Sequence, residues 1–123
     1  MGLSEVNPPC SSIVLRAVLR RNELDEDTGL IKPTAFIQRP NETDGISVTI
    51  ASSECSALQL ARSFKKCYGV VSLHVGYIRD IGLDVRLSPP PESHALIVGF
   101  PANDAARTEY LAGLLANSAR RQL

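Results

Sequence analysis

An α+β domain, with a mostly antiparallel or mixed sheet of about five to six strands and two main helices, is the fold class this sequence predicts. Three observations point there. Segments with the two-residue period of a half-buried strand, above all Ile46-Ser47-Val48-Thr49-Ile50, are scattered along the chain. Helical spacing over several turns occurs only from Ala57 to Cys67 and from Ala106 to Leu115. Strands that cluster instead of alternating with helices favour a sheet covered by helices on one side over a doubly wound arrangement.

Residues 1–12, where Pro8 and Pro9 stand among small polar side chains, read as a loose leader, and residues 13–123 as a single domain. Ile13 to Arg20 is apolar on both faces apart from its arginines, which would also fit a short helix and is read as a buried strand. The acidic turn Asn22 to Gly29 follows, then a short strand Thr34 to Gln38 after Pro33, then the polar turn Arg39 to Gly45. Ile46 to Ile50 is the clearest strand. A helix is expected from Ser53, as its cap, to about Lys66, with Gly69 closing it. Period two returns over Val70 to Val75. Tyr77 to Ile81 reads as one helical turn ended by Gly82, and Leu83 to Leu87 as a further strand. Pro89-Pro90-Pro91 forces an exposed corner without backbone donors; a buried strand, His94 to Phe100, and a helix capped by Asn103 or Asp104 complete the order β-β-β-α-β-β-β-α.

A chain of 123 residues has room for one core. With 44% hydrophobic and 21% charged residues, it has the composition of a chain that folds by itself. Thirteen basic residues balance thirteen acidic ones, which removes the broad positive field that nucleic-acid binding uses and argues against such a partner. No stretch approaches the ~18 apolar residues of a membrane span, and Met1 to Ser12 lacks a basic-then-apolar signal, so the expected location is the cytoplasm. Cys10, Cys55 and Cys67 are odd in number and without CxxC spacing; they read as free thiols, and no metal site is expected from them with His74 and His94.

Phosphate loops, nucleotide-binding glycine fingerprints and nucleophile elbows are all missing, so candidate site residues are the polar ones set within apolar strands. Arg16, between Leu15 and Ala17, must snorkel, pair with a carboxylate, or face a ligand, for which its rigid donor fork suits a carboxylate or phosphate. Ser47 and Thr49 share one strand face and can hydrogen-bond a ligand, although simple alternation also accounts for them. His74 and His94 are candidates for acid or base work near neutral pH, or for plain structural roles.

The order of Arg16 on a first strand, Ser47 and Thr49 on a later one, and the helix Ala57 to Phe64 resembles ADP-ribosyltransferase-type domains over about half the chain. That resemblance implies NAD as cofactor, held by Arg16, Ser47 and Thr49. Glu92 is the glutamate in the region where the family places its catalytic one, outside any Glu-x-Glu pair. Thr34-Ala35-Phe36, Ile46-Ser47-Val48 and His94 to Gly99 also resemble short bacterial proteins of unknown function, which implies a bacterial origin and no activity. Two functional readings follow. The first is a noncatalytic accessory or protein-interaction domain, forming a homo-oligomer through an exposed part of the Leu111 to Leu115 stripe on the C-terminal helix. The second is a small-molecule-binding domain or enzyme that uses Arg16, Ser47, Thr49 and a histidine.

Overall fold

The computed structural model describes residues 7–25, 27–42, 44–52 and 56–123. A six-stranded antiparallel sheet runs through the domain in the order β4-β5-β2-β1-β3-β6. The strands are β1 (Ile13–Val18), β2 (Ile46–Ile50), β3 (Gly69–His74), β4 (Asp84–Leu87), β5 (His94–Val98) and β6 (Arg120–Arg121); the α-helices are α1 (Ala57–Arg62), α2 (Val75–Asp80) and α3 (Ala105–Ser118). The architecture is α+β, as the clustered strand signals predict.

Register fixes which side chains share a face. Val14 pairs with Ile50 and Leu73, Leu15 with Thr49 and Ser72, and Ile46 with Ile97. Partners in an antiparallel ladder point the same way, and neighbours along a strand point oppositely. One face therefore carries Val14, Val18, Ile46, Val48, Val71, Leu73, Ala95 and Ile97, all buried in the main core beneath Phe36, Ile78, Leu111 and Leu115. The opposite face carries Leu15, Ala17, Ser47, Thr49 and His94, and α1 lies against its β1–β3 part. Helices thus cover both faces, not one. Alternation cannot reveal this, because β1 is apolar on both sides.

Two expected elements differ in form. Instead of a strand over Thr34 to Gln38 there is a 3-10 turn, Pro33–Phe36, with proline at its start. Proline's fixed φ suits a first helical turn, and Ala35 and Phe36, adjacent in sequence, both enter the core, which an alternating strand forbids. α1 is shorter than the spacing suggests. Ser56 caps it, accepting from the Gln59 N–H while the Gln59 side chain accepts from the Ser56 N–H, a reciprocal box that was readable as Ser56-x-x-Gln59. Ser53 and Cys55 lie outside the described residues. Phe64, expected on the helix, follows it and is 38% exposed, and α1 buries no residue fully.

Elsewhere the boundaries move little. α2 begins at Val75 and ends before Gly82, whose φ of 95° only glycine adopts without strain. Gly99, at φ 106°, turns the chain out of β5 before Phe100. Within the expected leader, Pro8 is buried and its carbonyl accepts from Arg79, while the Cys10 carbonyl accepts from the Gly76 N–H. Arg79 also pairs with Asp84 at 2.8 Å, and Asp84 Oδ1 accepts from the Val85 N–H on the rim of the sheet. No helix among the described residues is long and apolar enough to cross a membrane.

Among the described residues the least exposed charged side chain is Arg16, 1% accessible on the core face. Its guanidinium donates to both carboxylate oxygens of Glu42, at 2.7 and 3.2 Å, and to the carbonyls of Ala35 and Ser47. Glu42 also accepts from the backbone N–H groups of Arg39 and Ser47. Burial pushes the Glu42 carboxyl up, but the hydrogen bonds and charge of Arg16, with the two N–H donors, hold it below the ordinary glutamate value. Removing one partner of such a pair strands the other charge, so Glu42→Gln is expected to lose about 3–5 kcal/mol in urea unfolding at pH 7. A carboxylate with a depressed folded pKa stabilises above its unfolded value of 4.5 and loses that contribution as pH falls through the folded one. Wild type should therefore lose stability on acidification below about pH 4.5 more steeply than Glu42→Gln, as read by thermal melts at stepped pH.

Candidate functional site

On the sheet face opposite the core, a cleft of about 540 Å³ opens between β1, β2 and β5 on one side and α1 on the other. Leu15, Ala17, Leu60 and Phe64 give it an apolar body. Pro91 and Ser93 close one end, and Arg39, Asn41 and Glu42 the other. Its volume is that of a small-molecule site.

Three of the sequence candidates meet there. Ser47 and Thr49, both half-buried, line the floor because β2 turns its alternate residues away from the core. His94 lies directly opposite Thr49 on β5. The Ile50 N–H donates to the Ser93 carbonyl, which makes Thr49–His94 a narrow pair whose side chains stand close together. His94 Nδ1 lies 2.7 Å from the Ser88 carbonyl. A carbonyl only accepts, so Nδ1 carries the proton and the neutral ring offers Nε2 as an acceptor. The Ser47 and Thr49 hydroxyls hydrogen-bond to no described residue.

The other two candidates stand apart. Arg16 points to the core side of the sheet, and its donors are taken by Glu42, Ala35 and Ser47, so it offers nothing to the cleft. His74 is exposed at the end of β3, opposite Ile13 and outside the cleft lining. Glu92, from the resemblance, is exposed on the proline corner. Among the described residues no three His, Cys, Asp or Glu side chains come together as metal ligands would.

Sequence reasoning missed Arg39, read only as the start of a surface turn. Its side chain crosses the cleft end of β1, where Nη2 donates to the Ala17 carbonyl at 2.7 Å. That is its one side-chain hydrogen bond among the described residues, and no described carboxylate lies within ion-pair distance. Burial and then the like charge of Arg16 hold this guanidinium below the usual arginine value, against the opposing pull of Glu42 and Glu23. Arginine nevertheless stays protonated in proteins, so the cleft contains a half-buried cation with donors to spare. Local sequence carries no mark of this, because the contact partner is 22 residues away.

The C-terminal helix presents less apolar surface than its stripe suggests. Leu111, Ala112, Leu115 and Ala116 are buried in the core and Leu114 packs against it, which leaves Tyr110 outside with Arg107 5.2 Å above its ring. Comparison of the chain with models of protein families, with curated proteins and with solved structures found no match.

Proposed function

We propose that this domain is a noncatalytic binding module whose cleft takes a small amphipathic anion, an aromatic or aliphatic carboxylic acid being the simplest. Arg39 carries the reading. A guanidinium half-removed from water, bonded once to a backbone carbonyl and beside apolar walls, gains most from an arriving carboxylate, which its planar fork can accept with two parallel bonds. Leu15, Leu60 and Phe64 suit the apolar body of such a ligand, and the unengaged hydroxyls of Ser47 and Thr49 can orient it.

The transferase-like alternative keeps Ser47 and Thr49 on the cleft floor but has Arg16 enclosed behind Glu42. Its ligand is NAD. Binding of NAD that Thr49→Val weakens would favour it over the simple acid.

Calorimetric titration of 3-phenylpropionate against 3-phenylpropan-1-ol tests the reading, since the two differ chiefly in charge. The acid is expected to bind at least tenfold tighter, because a charge-assisted bond is worth about 1.5–3 kcal/mol, and Arg39→Met should abolish the preference. Equal binding of acid and alcohol, or binding of neither, sinks the proposal. Without ligand, Arg39→Met should melt no lower than wild type and up to about 1 kcal/mol more stable, because it removes a partly buried charge that has no ion-pair partner among the described residues. A clear loss of stability would mean that Arg39 serves the fold and not a ligand.

A further inference from the structure

The two ends of the cleft carry different hydrogen-bonding groups. At the end where Arg39 reaches the Ala17 carbonyl, the guanidinium supplies donors, and the Glu42 carboxylate that also lines this end is already engaged by Arg16 and by the Arg39 and Ser47 N–H groups. His94 stands at the other end, and its ring is oriented by the 2.7 Å contact of Nδ1 with the Ser88 carbonyl. Ser88 follows β4, on the far side of β5 from the cleft, and the two ring nitrogens diverge. With Nδ1 held toward Ser88, Nε2 lies on the other edge of a ring that lines the cleft opposite Thr49, and among the described residues it has no hydrogen-bond partner. The neutral ring presents a lone pair there.

The two ends are also separated by a definite span. Leu15 pairs with Thr49, and Ala17 follows two residues further along β1 from the Thr49–His94 level. Two residues of strand rise combined with a crossing of one to two strand spacings put the Arg39 and His94 ends roughly 10 Å apart. A phenyl ring with a two-carbon arm fills that distance between a carboxylate and a substituent on the far side of the ring. Leu60 and Phe64 on one wall and Leu15 on the other leave the middle apolar.

We propose that the ligand of this cleft is a hydroxylated carboxylic acid, its carboxylate on Arg39 and a hydroxyl at its far end donating to His94 Nε2. This rests on the anion-binding reading above and narrows its ligand class. It assigns His94 a recognition role, fixed by a second residue that never touches the ligand. A hydroxyl that finds a preset acceptor keeps its hydrogen bond on leaving water, whereas a ligand lacking the donor leaves Nε2 partly desolvated and unpaired.

The test compares three acids on the wild-type chain by calorimetric titration: 3-phenylpropionate, 3-(4-hydroxyphenyl)propionate and 3-(4-methoxyphenyl)propionate. The hydroxy acid is expected to bind about fivefold tighter than the parent acid, the usual value of one net hydrogen bond, and the methoxy acid, which has the oxygen without the proton, no tighter than the parent. In His94→Phe the ratio between hydroxy and parent acids should fall to about one. A ratio near one already in wild type, a methoxy acid that matches the hydroxy acid, or a ratio that survives in His94→Phe would each overturn the assignment of His94 while leaving the carboxylate site in place. Failure of all three acids to bind wild type would instead remove the anion-binding reading, and this inference with it.

Discussion

One buried ion pair organises both sides of the sheet. Arg16 and Glu42 meet on the core face, 26 residues apart in sequence, and between them they engage the Pro33–Phe36 turn through the Ala35 carbonyl and the start of β2 through both backbone groups of Ser47. Desolvating two charges offsets much of what their attraction gives, and a hydrophobic pair of similar volume would often serve stability as well. What a hydrophobic pair would not supply is direction. Glu42 Oε1 accepts from the Arg39 N–H, so the carboxylate that neutralises Arg16 also sets the backbone from which the Arg39 side chain crosses to the opposite face. Core and cleft share this hinge of hydrogen bonds. After burial, the nearby positive charge of Arg16 is one reason the Arg39 guanidinium is held below its usual value.

How far the fold could be read from the residues depended on how local each signal was. Ile46 to Ile50 announced itself, because alternation is a property of neighbours, and so did α3, with four turns of periodicity and Asp104 bonded to the Arg107 N–H at its start. The Pro33–Phe36 turn was mistaken for a strand because a run as short as Ala35-Phe36-Ile37 carries no decisive period, and proline at its head fits either reading. β6 is two residues long, and nothing in Arg120-Arg121 distinguishes an edge strand from a helix end.

The site was legible in part for the same reason. Ser47 and Thr49 could be assigned to one face from sequence, but that His94 stands against Thr49 follows from the β2–β5 register, which no local pattern encodes. Arg16 plainly required a partner, yet the chain offers thirteen acidic residues, and only the topology selects Glu42. Arg39 escaped notice because its importance lies in what it lacks: a charge in a polar turn looks solvated until the fold lays it across β1. Arg16 drew attention as a cation in an apolar strand, and its neighbour in the fold holds the uncommitted charge.

The rim of the sheet at β4 has a consequence of its own. Asp84, held by Arg79, bends its carboxylate onto the Val85 N–H, a donor that an incoming strand would need. Pro89, Pro90 and Pro91 follow directly after β4 and Ser88 and supply no donors at all. An extended peptide, or another copy of the chain, that tried to continue the sheet from this side would have to strip Asp84 from its own backbone first. This edge of the sheet is thereby protected against strand-by-strand addition, and contacts made along it fall to side chains, where chemistry and not backbone pairing decides what adheres.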